Sequence, residues 1–201
     1  MTRRILPSLI CLIFAAGFAH ASVLSYNVFV NTSGISAGPG YIDLEFNQGL
    51  SGVAGLATVT DFTSTGYGFG VAPVFTAGVT GSFSAPPLVI PNDQSGINYY
   101  DEPVTAWGQY FSFVVTLDTT ATDSGFFVYL LDSGFNSIVG PLGSGEVANV
   151  IIDSNGVPTP QSSTFDGGYA NASEIPEPAS GWLLAPGLGA LLMSLRRRVR
   201  R

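Results

Sequence analysis

The stretch INYYDEPVTAWGQY, residues 97–110, concentrates side chains that could bind a sugar. Aromatic faces suit the apolar side of a pyranose ring, and amides and carboxylates suit its hydroxyl groups. The candidate glycan-binding aromatics are Tyr99, Tyr100, Trp107 and Tyr110. Their polar neighbours are Asn98, Asp101, Glu102 and Gln109. The simpler interpretation is that these aromatics form cross-strand pairs and core contacts, as in any β-sandwich.

Carboxylate chemistry is a second possibility for the same stretch, because two Asp or Glu side chains suffice for a glycoside hydrolase. Asp101 and Glu102 are the nearest candidate pair. Adjacent residues of a strand point to opposite faces, so these two could not share a substrate unless they lie in a loop. We therefore expect no enzymatic activity, with a carboxylate-dependent glycoside hydrolase as the remote alternative.

Calcium is the one cofactor to consider, and the expected cofactor is otherwise none. Its candidate ligands lie in Gly-containing turns: Asp123, Asp132, Asp153 and Asn155. Hard oxygen ligands suit Ca²⁺, but no segment has the twelve-residue spacing of an EF-hand loop. Asp-Ser-Asn-Gly, residues 153–156, is also a turn sequence in its own right.

The charge is distributed very unevenly along the chain. The net charge is −7, and 13 of the 14 acidic residues lie between Ser22 and Glu174, where there is no basic side chain. The basic residues are all arginines at the two ends: Arg3, Arg4, Arg196, Arg197, Arg198, Arg200 and Arg201. Such asymmetry is typical of targeting or membrane contact. An acidic body would also repel nucleic acid, so no nucleic-acid partner is expected.

The N-terminus, residues 1–21, has the features of a secretory signal peptide. Two arginines precede an apolar segment that runs to Phe18, and Ala19-His20-Ala21 supplies the small-x-small cleavage pattern. Signal peptidase is then expected to cut before Ser22. The alternative is an N-terminal membrane anchor, but the apolar core is short and ends in a cleavable site.

Cleavage before Ser22 would remove the chain's only cysteine, Cys11, and its only histidine, His20. The exported body would then lack the base for a Ser-His-Asp or Cys-His site and the ligands of a His/Cys zinc site. It would also lack a disulfide and any basic residue to hold a phosphate.

The C-terminus predicts a membrane span over residues 179–195, followed by a basic tail at 196–201. The uncharged run Gly181–Leu195 has 15 residues, so as a helix it would reach only ~22 Å against a hydrocarbon core of about 30 Å. Pro186-Gly187 would weaken that helix, but Trp182 suits the membrane interface. The arginines should stay on the cytoplasmic side and leave the acidic body outside. The alternative is a buried core helix with a basic tail.

This C-terminus resembles the sorting signal of PEP-CTERM proteins. The resemblance rests on Pro176-Glu177-Pro178, the apolar span to Leu195, and a terminal cluster that begins with Arg196, Arg197 and Arg198. It covers the chain from Glu174 onward, and Ile175 replaces the valine that often precedes the motif.

The resemblance implies processing near Pro176-Glu177-Pro178 by an exosortase, a membrane-bound cysteine-type enzyme. The body would first be anchored in the inner membrane, outside the cytoplasm, and then be released or transferred to the cell envelope or the exterior. Members of the family are associated with exopolysaccharide and biofilm. Two prolines also keep the motif extended and therefore accessible to a protease.

The body, residues 22–156, predicts an all-β fold. Apolar and polar residues alternate over Tyr41–Phe46 and Tyr110–Asp118, whereas Phe126–Leu131 is apolar on both faces, as expected of a central buried strand. Weaker strands are expected at 23–30, 56–62, 79–83 and 146–152. Short strands between Gly- and Asp-rich turns indicate an antiparallel β-sandwich, jelly-roll-like, flanked by the signal helix and the transmembrane helix.

Residues 157–174 are rich in Pro, Ser and Gly, which predicts a stalk between the body and the membrane. These observations predict a non-enzymatic exported surface or matrix protein, structural or adhesive in exopolysaccharide. The alternative is a carbohydrate-binding module with a specific glycan ligand.

Overall fold

The computed structural model describes residues 23–176, with gaps at 50–52, 94–96, 119, 140–141, 143–144 and 166. The predicted signal helix and the predicted transmembrane helix lie outside the described residues. The chain divides into two compact units, one of which is Ser22–Ile175, and the other comprises the two chain ends. No helix among the described residues is long and apolar enough to cross a membrane.

The Ser22–Ile175 unit is built from strands alone in its described part. The strands are β1 (Val23–Asn31), β2 (Gly40–Gln48), β3 (Leu56–Thr65), β4 (Gly68–Phe69), β5 (Val74–Phe75), β6 (Thr80–Ser82), β7 (Ala85–Pro91), β8 (Tyr99–Ala106), β9 (Tyr110–Asp118), β10 (Ser124–Asp132), β11 (Ser137–Val139), β12 (Ala148–Ile152), β13 (Pro158–Gln161), β14 (Ser163–Phe165) and β15 (Gly168–Glu174).

These strands form two sheets in which every pairing is antiparallel. Sheet A has the order β14-β15-β1-β9-β3-β7-β6, and sheet B has the order β13-β12-β10-β2-β8-β4. Strand β11 also pairs with β10, and β5 also pairs with β8. The prediction of an all-β, antiparallel, sandwich-like body is confirmed.

The inward residues of both sheets form one hydrophobic core. In β9, Phe111, Phe113 and Val115 are buried and alternate with half-buried residues, because successive side chains of a strand point to opposite faces. Phe113 of sheet A meets Phe126 of sheet B edge to face, with ring centroids 6.2 Å apart. Burial of this apolar surface is the main stabilising term, since no ion pair can form between side chains of the body.

The predicted stalk at 157–174 is wrong, because this segment completes both sheets. Strand β13 is the edge of sheet B, and β15 pairs with β1 from Tyr26↔Glu174 to Asn31↔Tyr169. Proline lacks a backbone N–H group, so within a sheet it is compatible with an edge strand. Pro158 and Pro160 lie two residues apart on the edge strand β13, so both missing N–H groups fall on the same side of that strand.

The first and last strands of the unit are neighbours. The N–H of Ile175 donates to the carbonyl of Ser25 at 2.8 Å, one residue beyond the end of β15. The chain therefore enters and leaves the unit at the same end of sheet A. Pro176 follows at once and is exposed.

Candidate functional site

A cleft of about 630 Å³ lies on the outer face of sheet B. Strand β2 supplies its floor, because Ile42, Leu44 and Phe46 point into the core and the alternate residues Asp43 and Glu45 point outward. Strands β5, β8, β10 and β11 supply most of the remaining lining, and Ile97 and Phe135 add to it from outside the strands. The cleft is therefore a product of the pairing of these strands around β2.

The register of sheet B places carboxyl groups side by side on this floor. Asp43 is directly opposite Asp101 on β8, and Glu45 is opposite Tyr99 on the same strand. On the other side of β2, Asp43 is opposite Tyr129 of β10. Like charges directly opposite one another on neighbouring strands destabilise a sheet, so the arrangement is costly to the fold.

Burial increases that cost. Asp43 is 5% exposed and Asp101 is 4% exposed. Burial, followed by the nearby charges of Glu45 and Asp101, raises the pKa of Asp43 to about 9. Burial and the charge of Glu45 raise the pKa of Asp101 to about 6. At neutral pH the carboxyl group of Asp43 is therefore protonated, whereas that of Asp101 is mostly ionised.

The hydrogen bonding of Asp43 is incomplete. Its Oδ1 atom is buried and has no hydrogen-bond partner. Glu45, by contrast, accepts a hydrogen bond from the Nδ2 group of Asn47 at 2.6 Å. Burial also raises the pKa of Glu45, the Asn47 bond opposes that rise, and the charge of Glu146 adds to it. A buried polar atom without a partner is rare in native proteins and requires an explanation.

Three aromatic residues surround the carboxyl groups. Tyr99 and Tyr129 are half-buried in the cleft wall, and Phe135 is 53% exposed at its rim. Burial, together with the charges of Glu45, Glu146 and Asp43, raises the pKa of Tyr129, so its hydroxyl remains a donor. The cleft therefore combines aromatic surface with carboxyl oxygens.

The turn that carries Phe135 is held in a strained conformation. Phe135 has a φ of 61°, which is unusual for a bulky residue. The Oδ1 atom of Asp132 accepts from the N–H groups of Gly134 at 2.8 Å and Asn136 at 2.9 Å, which fixes the turn. The ring of Phe135 stacks on Tyr41, with centroids 4.6 Å apart. Such strain is found preferentially at functional sites.

The four aromatics predicted to bind glycan are not brought together, and only Tyr99 lines the cleft. Tyr100 is fully buried in the core, where its hydroxyl donates to Glu102. The indole Nε1 group of Trp107 donates to the carbonyl of Gly38 at 2.8 Å. Tyr110 lies on sheet A, where it stacks on Phe29. The predicted residues therefore do not form one site, and only Tyr99 of the set belongs to the cleft.

The acidic pair of the sequence is also divided between two faces, as strand geometry predicts. Asp101 lines the cleft, whereas Glu102 points to the opposite face of β8 and bonds to Tyr100. The partners of Asp101 are Asp43 and Glu45, which sequence analysis did not identify as site residues. The alternation in YIDLEF, residues 41–46, was the available signal, since it places both carboxylates on one face.

In two of the three turns proposed to hold calcium, the Asp side chain accepts hydrogen bonds from backbone N–H groups of its own turn. The Oδ1 atom of Asp153 accepts from the N–H groups of Asn155 at 2.8 Å and Val157 at 2.9 Å. These bonds lower the pKa of Asp153, and equivalent bonds lower the pKa of Asp132. In the part of the chain that the structure describes, no three Asp, Glu, His or Cys side chains are grouped to hold a metal ion.

The predicted processing residues lie almost entirely beyond the described ranges. Pro176 alone is described, and it is exposed. The others are Ala19, Ala21, Ser22, Glu177, Pro178, Arg196, Arg197 and Arg198.

Comparison with known proteins returned no match to a family model, to a curated protein or to a solved structure. The chemistry of the acidic cleft is therefore the basis for a functional assignment.

Proposed function

We propose that this chain is an exported protein of the cell envelope or extracellular matrix whose domain binds a glycan in the acidic cleft. The observation that carries the proposal is the cleft itself, in which Asp43, Glu45 and Asp101 lie beside Tyr99 and Tyr129 on one face of sheet B. Carboxyl oxygens suit sugar hydroxyls and aromatic rings suit sugar faces. A volume of about 630 Å³ is also within the range of small-ligand sites.

The proposed architecture is a jelly roll. Strands β1 and β9, β2 and β8, and β3 and β7 pair as nested partners, and the three pairings alternate between the two sheets. The orders β1-β9-β3-β7 and β2-β8-β4 are those expected when one long antiparallel hairpin wraps around a core. Lectin domains are among the proteins that use this architecture.

The proposed route to the surface depends on the two chain ends. The signal sequence directs export and cleavage before Ser22, and the C-terminal span holds the domain at the inner membrane. Exosortase processing near Pro176-Glu177-Pro178 follows from the PEP-CTERM resemblance. The exposed position of Pro176, two residues after the final strand ends, is compatible with access by such an enzyme.

In the matrix, the role is structural or adhesive rather than catalytic. An acidic body without lysine or arginine stays soluble and avoids nucleic acid. Its partners are therefore the processing enzymes, the membrane and exopolysaccharide.

Calorimetric titration of the Ser22–Ile175 unit with oligosaccharides of the host exopolysaccharide tests glycan binding. Tyr99→Ala should weaken binding roughly tenfold, because a ring in contact with the sugar is lost. Tyr110→Ala is the matched control, since Tyr110 lies on sheet A. Equal losses in both variants, or no binding by the parent domain, would refute the cleft as a glycan site.

A glycoside hydrolase is the second candidate, favoured by the contrast between Asp43 and Asp101. Neighbouring carboxyl groups whose pKa values are driven apart are a pattern of acid and base pairs. Binding is preferred because both groups stand on one floor, whereas glycosidase carboxyls flank the scissile bond. Release of reducing ends that Asp101→Asn abolishes would establish the enzyme instead.

A further inference from the structure

The carboxyl groups of the cleft have no counter-charge within their own domain. Asp43, Glu45 and Asp101 share the cleft floor, and no Lys, Arg or His occurs between Ser22 and Glu174. Any positively charged side chain that neutralises them must therefore come from outside this unit. Buried carboxylates strongly favour such a partner, because an unpaired charge is costly away from water.

One carboxyl oxygen of the cleft, Oδ1 of Asp43, has no hydrogen-bond donor. Asp43 lines the cleft and is 5% exposed. Its buried Oδ1 atom has no hydrogen-bond partner. An ammonium group offers three N–H donors and a positive charge, so it could bond Asp43 and a neighbouring carboxylate together.

The surroundings favour an organic cation over a metal ion. No three acidic side chains in the described ranges are grouped to ligate a metal. The walls instead present Tyr99, Tyr129 and Phe135, whose ring faces attract cations and pack against sugar rings. A ligand that joins a pyranose to an amine would use both the floor and the walls.

We propose that this cleft recognises a glycan whose sugars carry free, protonated amino groups, of the glucosamine type, an inference that rests on the glycan-binding function proposed above. The ammonium group binds between Asp43 and the directly opposite Asp101, with the charge of Glu45 nearby, and the sugar ring packs against the aromatic residues of the cleft. N-acetylation removes the charge and enlarges the group, so the acetylated sugar binds weakly.

This geometry couples binding to proton release. Asp43 faces Glu45 along its own strand, Asp101 on β8 and the protonated hydroxyl of Tyr129 on β10, and burial among these groups holds its proton at neutral pH. An ammonium group that binds Asp43 favours the ionised form, so the carboxyl proton leaves as the ligand enters. Affinity then rises with pH until the sugar amine itself loses its charge.

The test is calorimetry of the Ser22–Ile175 unit at pH 7 with a glucosamine hexamer and with the N-acetylglucosamine hexamer. The deacetylated hexamer should bind roughly ten to a hundred times more tightly, the range of a charge-assisted hydrogen bond. Repeating the titration in buffers of different ionisation enthalpy should reveal proton release. Asp43→Asn and, separately, Asp101→Asn should each remove most of the preference.

Asp61→Asn is the matched control, because it makes the same substitution at an exposed site on sheet A. Equal affinity for the two hexamers, weakened in both by Tyr99→Ala, would overturn the amine inference and leave glycan binding standing. Binding of neither hexamer, nor of any neutral oligosaccharide, would refute both proposals. A lysine-rich peptide that binds as tightly as the amino sugar would overturn the choice of a glycan.

Discussion

The outer faces of the two sheets are chemically opposite. The outward residues of sheet A are mostly hydroxyls and amides, and they bond one another across strands. Ser25 pairs with Thr116 at 2.9 Å, and Thr63 pairs with Ser112 at 2.8 Å. These four hydroxyl groups have local partners, so they cost the fold little and stabilise it through cross-strand pairs.

The outer face of sheet B has the reverse character at its centre. There Asp43 faces Asp101, both are buried, and the Oδ1 atom of Asp43 has no hydrogen-bond partner. The two outer faces therefore differ in whether their polar groups have hydrogen-bond partners. An unsatisfied buried polar atom requires an explanation, and the proposed explanation for Asp43 is a ligand in the cleft.

The aromatic residues of the two outer faces also differ in what they contact. On sheet A, Phe29 lies between Tyr110 and Tyr169, with ring centroids 5.4 Å and 5.7 Å away, so the rings use one another as partners. On sheet B, Tyr99 and Tyr129 line a cleft. Aromatic content alone therefore does not identify a binding face.

Truncation after Gly156 should have the largest effect on stability, because it removes strands from both sheets. It removes β13 from sheet B and β14 and β15 from sheet A, uncovers the edges of β1 and β12, and takes away buried Ala170 and Ala172. We expect loss of cooperative thermal unfolding by circular dichroism. An unchanged melting temperature would instead mean that 157–174 is a dispensable stalk; truncation after Ile175 is the control.

The acidic face should make stability depend on pH. The raised pKa of Asp43 means that the folded state binds more protons than the unfolded state between pH 3.8 and about 9. Stability should therefore fall as pH rises through this window, by up to about 1.4 kcal/mol per pH unit for one such group. Urea titrations at pH 5, 7 and 9 measure the slope.

Asp43→Asn should reduce that slope and stabilise the domain at pH 9 by about 1–3 kcal/mol, because a buried charge is removed. Asp61→Asn, which removes an exposed carboxylate from sheet A, is the comparison variant. A slope that persists in Asp43→Asn would show that Asp43 is not the buried acid responsible.

Phe135→Asn separates ligand binding from stability at the rim of the cleft. Asparagine tolerates a positive φ, so the relief of about 1 kcal/mol of backbone strain should offset the lost stacking on Tyr41. We expect a melting temperature near that of the parent and glycan affinity lowered several-fold. Affinity equal to that of the parent in calorimetry would remove Phe135 from the site.

Thr116→Val should have the smallest effect. It removes the hydrogen bond to Ser25 from a half-buried position on sheet A, and the loss of about 1 kcal/mol or less is partly offset by the strand preference of valine. Glycan affinity should be unchanged in the same calorimetric assay. A change in affinity would show that the two faces are coupled.

Alternation of apolar residues predicted much of the fold. Strand β9 was predicted at Tyr110–Asp118 and lies there, and the apolar run Phe126–Leu131 is a central strand between β2 and β12. Sequence analysis missed β7 and β8, which contain prolines, and it assigned β15 to a stalk. Local composition cannot show that a Pro- or Gly-rich segment lies beside a partner strand, because pairing is a tertiary property.

The candidate site was predictable only in part for the same reason. The alternation in β2 placed Asp43 and Glu45 on one face, and adjacency correctly separated Asp101 from Glu102. The register that sets Asp43 opposite Asp101 depends on how distant strands pair, which a single sequence does not reveal. Tyr100 shows the converse error, since an aromatic beside a site residue can belong wholly to the core.

The pairing of the first strand with the last has a mechanical consequence. Both termini lie at the Tyr26↔Glu174 end of the β1–β15 ladder. Tension that separates them therefore loads the hydrogen bonds between the two strands one pair at a time. Rupture would proceed as unzipping, which needs far less force than shearing all the bonds together. The domain should therefore open at modest tension from this seam.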